Sequence, residues 1–268
     1  MKYLWAAIIT LWLVVAVYFY INYVLFHKHF GKAGKKKNPP AQCKENVGSY
    51  ERINITSADQ FILTAKLFTP ANGDGKRSVL LCHDYRSNGE ADFAKELDFY
   101  KNLGYNILLI EQRCHGKSAG DTTSMGITES YDVVYWCSWL ELRFGTGCPT
   151  VVHGKGMGAF AALVALASPE LPQNVIKAVV SEVYDSVFEK FSQTVKNKYD
   201  FWSKVIIPTV NMFYRLNTGF DMRDADIKNF AKKISTPVLF DCKDKETQAF
   251  KTVRMAVSGE GLEKFLNE

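Results

Sequence analysis

Residues 150–167 constrain this chain more than any other stretch. Thr150-Val151-Val152-His153 is a short β-branched run of the kind that forms a buried strand. Gly154-Lys155-Gly156-Met157-Gly158 breaks it, and Ala159 to Ala167 is a small, apolar helix able to pack closely on a sheet. Strand, sharp turn and buried helix are the setting of a nucleophile elbow, G-x-S-x-G. The outer glycines stand at the right spacing, but the middle position holds Gly156 where the chemistry needs serine. The central residue of an elbow is held in a strained backbone conformation, which glycine reaches without a Cβ penalty. The swap keeps the turn and deletes the hydroxyl. A glycine turn of the nucleotide-binding kind competes with this reading, but Gly154, Gly156 and Gly158 lack the third glycine of G-x-G-x-x-G at its offset.

A second constraint lies at the start of the chain. Tyr3 to Phe26 carries no charge over 24 positions, long enough to span a bilayer as one helix. A cleaved signal peptide would have a shorter apolar core and a small-residue cleavage site. Tyr18, Tyr20 and Tyr23 near one end suit a membrane interface. Residues 1–26 thus read as a single-pass transmembrane anchor. Residues 27–44, ending in Lys35-Lys36-Lys37-Asn38-Pro39-Pro40 and Lys44, read as a flexible basic linker that can bind anionic lipid headgroups. Only Lys2 precedes the span, so the excess of lysine after it places the following domain in the cytoplasm; a single-span anchor can break that rule, and the opposite orientation stays open.

The linker also distorts the overall charge. Residues 1–44 hold seven lysines and no acid, so the net charge of +5 becomes 26 bases against 28 acids beyond them. The folded part carries no basic stripe and is not expected to bind nucleic acid. Six scattered cysteines form no C-x-x-C pair, and no cofactor or metal site is expected. Cys82 and Cys242 lie in apolar runs, where a thiol acts as a small hydrophobe, which leans towards a reducing compartment.

Residues 45–268 read as one domain. Tyr50–Thr56 and Phe61–Phe68 form a hairpin across the turn Ser57-Ala58-Asp59-Gln60, and Asn72-Gly73-Asp74-Gly75 is a further turn. Ser78–His83, Asn106–Ile110, Thr150–His153, Ile176–Ser181 and Pro237–Cys242 are buried strands. Between them lie helices over Asp92–Leu103, Thr128–Leu142 and Asp224–Lys233, and a helical insertion over about 187–216, interrupted at Pro208. Strands alternating with helices after an opening hairpin make a doubly wound, mostly parallel α/β sheet.

Several separated blocks resemble the α/β-hydrolase family, and within it the membrane-anchored bacterial serine hydrolases related to S33-type peptidases. His83-Asp84-Tyr85-Arg86-Ser87 resembles that family's oxyanion loop. Residues 111–120 (Glu-Gln-Arg-Cys-His-Gly-Lys-Ser-Ala-Gly) resemble its Asp-x-Arg-Gly-His-Gly-x-Ser-x-Gly segment. Met125-Gly126, Asp132 and Trp136 match the entry to the next helix. His153–Ala159 matches the elbow except at Gly156, and Ile234–Phe240 matches the strand leading to the acid. The resemblance runs from about Tyr50 to Glu246. It implies an α/β-hydrolase fold, with His83, Asp84, Tyr85 and Met157 at the oxyanion positions.

The departures fall on the chemistry. The nucleophile position is Gly156, and the oxyanion-loop glycine is Asp84, a carboxylate where donors are needed. The acid position falls in Lys243-Asp244-Lys245-Glu246, where Asp244 or Glu246 could stand, or both could be solvated turn residues. The triad histidine follows the acid in chain order, and no histidine lies beyond His153. The stretch after Glu246 is short for the usual helix, strand, histidine loop and closing helix. Gly259–Glu268 resembles the closing helix, so an internal strand and the histidine loop are expected to be missing and the fold to be shortened at its C-terminal end. Lys155, Cys82-His83, Cys114-His115 and Ser124 offer no replacement with the right local geometry. The expectation is a membrane-anchored protein without hydrolytic activity whose former active-site cleft takes a protein or small-molecule ligand. The alternative is an esterase or peptidase using non-standard groups.

Overall fold

The computed structural model describes residues 2–32, 49–71, 75–240, 255–257 and 261–267; residues 33–44 of the basic linker, the turn at 72–74 and the acid-position residues Asp244 and Glu246 lie outside them. Helix α1 (Lys2–Phe30) is followed by β1 (Glu51–Thr56), β2 (Ile62–Phe68) and β3 (Ser78–Cys82). Helices α2 (Gly89–Asp92) and α3 (Ala94–Asn102) lead to β4 (Asn106–Glu111), α4 (Ile127–Phe144), β5 (Thr150–Lys155) and α5 (Met157–Leu166). Then come β6 (Val175–Ser181), α6 (Val187–Tyr199), a 3-10 turn (Asp200–Trp202) and α7 (Ser203–Thr218). Helix α8 (Lys228–Ala231), β7 (Val238–Phe240), β8 (Met255–Val257) and α9 (Gly261–Asn267) complete the described chain.

The strands form one sheet in the order β1-β2-β4-β3-β5-β6-β7-β8. The expected hairpin is present, with Glu51 opposite Leu67 and Thr56 opposite Ile62, and β2 also runs antiparallel to β4. All other pairs are parallel. Helices cover both faces, so the central strands are apolar at nearly every position. Alternation divides each strand between two cores. Leu80, Leu108, Val152 and Val180 face α4 and α5 with Trp136, Leu140, Phe160 and Leu163. Val79, Leu81, Ile107, Val151 and Val179 face α3 and α9 with Phe93, Leu97, Tyr100 and Phe265.

Several expected boundaries move, each for a local reason. The helix expected over Asp92–Leu103 begins earlier, at Gly89, and is interrupted at Phe93, whose ring is fully buried, so that α2 precedes α3. The insertion breaks at Asp200 and not at Pro208: Asp200 has φ 29°, which ends α6, whereas Pro208 sits inside α7. Pro208 and Lys204 are both exposed, so the carbonyl that the proline leaves without a donor lies on the open side of α7, away from the core. The helix over 224–233 contracts to α8 because the backbone of 225–227 pairs with that of 185–187. The flexible linker does not begin at residue 27. Phe26 and Phe30 are buried, Gly31 pairs with Thr122, and the Lys32 N–H donates to the Asp121 carbonyl at 2.7 Å. The C-terminal expectation is also corrected. An internal strand is present as β8, parallel to β7, so the described residues form a sheet of eight strands. What is short is the chain after it, where only Ser258, Gly259 and Glu260 separate β8 from α9.

Candidate functional site

The elbow forms as the sequence requires. β5 ends at Lys155, α5 begins at Met157, and Gly156 between them has φ 54° and ψ −115°. A side chain in that conformation is strained. Gly158 lets the helix lie against β3: a Cβ there would strike the carbonyls of Cys82 and His83. The ten residues of α5 are all buried, which fixes the turn against the sheet.

The space above Gly156 is filled by Asp84. A Cβ added to Gly156 would overlap the Asp84 carboxyl group. The same carboxylate accepts the backbone N–H of Met157 at 2.7 Å through Oδ1. In an elbow that N–H belongs to the oxyanion hole. Gly156 has no side chain to cap α5, and Asp84 supplies the cap from a loop 73 residues away. A carboxylate is favoured there, since it meets an unpaired N–H and the positive end of the helix dipole. The group that opposes oxyanion chemistry is thus the one that completes the helix. The Asp84 N–H in turn donates to Asp92 Oδ2 at 2.8 Å, which holds the loop in place.

The neighbouring residues also serve structure. The His83 ring accepts the Gln112 N–H at Nε2 (3.1 Å) and meets the Asp84 carbonyl at Nδ1 (2.8 Å). His115 accepts the Arg86 N–H at Nε2 (2.8 Å) and meets the Arg113 carbonyl at Nδ1 (2.8 Å). Each ring is therefore held as the neutral tautomer protonated at Nδ1. His153 belongs to the other face of the sheet, where its Nδ1 lies 3.1 Å from the Tyr100 hydroxyl and its ring packs on Phe93. Complete burial, helped by the charge on Lys155, pushes its pKa down to about 3. His83, His115 and His153 are thus engaged with the loops and the sheet, and His29 stands on the cleft above Asp84.

The other reactive side chains are engaged elsewhere. Lys155 reaches away from the elbow to Glu96 (2.6 Å) and the Asp92 carbonyl (2.7 Å). Ser124 donates to Glu129 at 2.6 Å and accepts the Thr128 N–H at 2.6 Å, as part of the buried turn that starts α4. Cys82 and Cys114 are buried thiols whose pKa values burial pushes up, Cys82 as the small hydrophobe expected of it. The described residues contain no group of three His, Cys, Asp or Glu side chains placed to hold a metal. A polar cluster that patterning does not reveal is Arg113, which grips Asp132 with two bonds of 2.7 Å and reaches Asp59 at 2.8 Å. It ties the opening hairpin to α4 beneath the site, and its partners are 19 and 54 residues away.

Above Asp84 lies a cavity of about 190 Å³. Asp84, Tyr85 and Met125 form its floor, and Tyr184 and the α6 residues Val187, Lys190, Phe191 and Thr194 form one wall. The roof is the end of α1, through His29 and Phe30. Phe30 packs on Phe191 and Tyr214, and the Tyr85 hydroxyl donates to the Gly31 carbonyl at 3.1 Å. Lys190 places its ammonium 4.1 Å from the Tyr184 ring centre, and desolvation there lowers its pKa. His29 is likewise shifted down, first by burial and then by the nearby charges of Lys28, Arg86 and Lys198. The cleft is mainly apolar, with a carboxylate on its floor and a cation on its wall. The sequence assigns none of its roof, because residue 30 and residue 84 meet only in the folded chain.

No family model matches the chain. The uncharacterized protein YqkD of Bacillus subtilis (strain 168) is 26% identical over 196 residues, which is 73% of this chain; the match spans 64% of the length of that relative. Among solved structures, an esterase of Pyrococcus furiosus superposes with a TM-score of 0.59 at 21% identity, covering 84% of this chain and 88% of its own. A bacterial membrane phospholipase A superposes with a TM-score of 0.52 at 12% identity over 96% of this chain and 90% of its own.

Proposed function

The chain has the α/β-hydrolase fold, and from that premise we propose that it is a membrane-anchored member that does not hydrolyse esters or peptides and acts by non-covalent binding in its cleft. One observation carries this reading: the Asp84 carboxylate occupies the place of a nucleophile's side chain and takes the Met157 N–H. An acyl-transfer intermediate needs that donor free and a nucleophile beside it. The triad histidine comes last in chain order, whereas no histidine lies beyond His153 and the sequence between β8 and α9 is Ser258-Gly259-Glu260. Loss of one member of a Ser-His-Asp triad costs about 10⁴–10⁶-fold in rate. The ligand is a protein segment or a small molecule of about the cleft's size. Its apolar part would meet Phe30, Phe191 and Val187, and its polar part Lys190 or Asp84.

The narrower likeness to S33-type peptidases rests on the sequence blocks alone. Helix α1 is long and apolar enough to cross a membrane, and the lysines that follow it favour a domain in the cytoplasm.

The full chain, purified in detergent, should release no nitrophenol from short-chain esters above buffer and take no fluorophosphonate label. Gly156→Ser should be equally silent, because the new Cβ meets the Asp84 carboxyl group, which also holds the Met157 N–H that an oxyanion would need. Serine-dependent turnover or labelling in either protein would overturn the proposal. Trypsin added outside sealed, right-side-out cells should leave the domain intact; its digestion there would reverse the orientation and leave the binding reading untouched.

A further inference from the structure

We infer that the tip of the α6–α7 hairpin is a second membrane-contacting element, sunk into the near leaflet of the bilayer that α1 crosses. The inference rests on the reading of α1 as a membrane span. Three observations carry it.

The first is a length mismatch. Helix α1 is free of the domain only up to Val17; at Tyr18 its hydroxyl meets the Val205 carbonyl (3.1 Å) and Thr209 (2.5 Å) on α7. Tyr3 to Val17 is about 22 Å of helix at 1.5 Å per residue. A hydrocarbon core is about 30 Å thick, and tilting the helix increases the length needed. The free segment falls short by about 8 Å. The uncharged stretch continues to Phe26, so the missing length is present in α1, but only where α7 lies beside it.

The second observation is direction. Successive contacts join Tyr18 to Val205 and Thr209, Tyr23 to Phe213, and Phe30 to Tyr214. Residue numbers rise together, so α7 runs parallel to α1. Its start, with the preceding turn Asp200–Trp202, is therefore the part nearest the membrane interior.

The third observation is chemical. Phe201 and Trp202 are 76% and 63% exposed, and the same open side of α7 carries Val205, Met212 and Leu216. The spacing from Phe201 to Val205, and from Met212 to Leu216, is that of one helix face. An apolar stripe of this kind is costly in water and free of cost in hydrocarbon. Residues 190–204 also carry four lysines against a single acid, Asp200. Lys196, Lys198 and Lys204 are exposed, and their long side chains can reach anionic headgroups while the aromatic tip is buried. Since α6 is a wall of the cleft, this depth places the cleft at the membrane surface.

The test uses the full chain reconstituted in phosphatidylcholine–phosphatidylglycerol vesicles whose acyl chains are brominated at shallow or deep positions. Trp202→Phe and Trp12→Phe are each compared with wild type, and the difference spectra isolate the two tryptophans. Wild-type fluorescence from Trp202 should be blue-shifted and quenched by shallow bromines about as strongly as Trp12 is quenched by deep ones. If Trp12 is quenched and Trp202 is not, the span stands and the hairpin proposal falls. If neither is quenched, the span itself is wrong and the proposal falls with it. Phe201→Asp with Val205→Asp, read by Trp202 quenching in the same vesicles, should lose the signal while Trp12 quenching persists; retention of Trp202 quenching would also refute the proposal.

Discussion

Replacing Gly156 by alanine should unseat Asp84. The backbone at φ 54° and ψ −115° costs a residue with a Cβ about 1–3 kcal/mol. The new methyl also overlaps the Asp84 carboxyl group and forces it off the Met157 N–H. A hydrogen bond to a charged acceptor is worth about 1.5–3 kcal/mol. The lower entropy of the unfolded alanine chain returns about 0.4–1 kcal/mol. The sum is a loss of about 2–5 kcal/mol. Asp84→Ala removes the overlap and the hydrogen bond together, so in that background Gly156→Ala should cost only the strain, about 1–2 kcal/mol after the entropic return. The two substitutions should therefore couple by about 2 kcal/mol in a double-mutant cycle. The cycle is read by urea denaturation of the full chain in detergent, followed by near-ultraviolet circular dichroism. Additivity within about 0.5 kcal/mol would show that the carboxylate does not occupy the elbow. The Met157 N–H would then be free to serve an oxyanion.

His153 should make the protein acid-sensitive. Its pKa falls from 6.5 to about 3 on folding, so between those values the unfolded chain binds the proton and the folded chain does not. Stability should be lost as pH falls through this window, by up to about 1.4 kcal/mol per pH unit, and His153→Gln should flatten the difference curve in pH-dependent denaturation. Arg113→Ala should cost about 3–5 kcal/mol in the same denaturation assay, since it leaves the Asp132 carboxylate buried without its partner. Phe30→Ala should destabilise the docked end of α1 by about 3 kcal/mol and open the cleft roof. Limited trypsin digestion of the detergent-solubilised chain should then cut after Lys28 or Lys32, sites expected to be protected in the wild type.

The sequence by itself determined the central architecture and the glycine at the centre of the turn, Gly156. Buried strands read as continuous apolar runs, and elbow glycines read as a fixed spacing, because both depend on neighbours a few residues apart. Gly156 has the positive φ that the motif demands. Three things were decided only by the folded chain. Asp84 could be read as a carboxylate in the oxyanion loop, but not as the cap of a helix 73 residues away. His153 looks like part of the elbow and belongs to the opposite face, because alternate strand positions point to opposite sides and the ring found Tyr100. The last turn of α1, residues 27–30, reads as the start of a flexible tether, yet it is the roof of the cleft. Local pattern specifies which face of an element is apolar. Which distant surface covers that face depends on the packing of the whole chain, and here Phe26 and Phe30 are covered by α6 and α7.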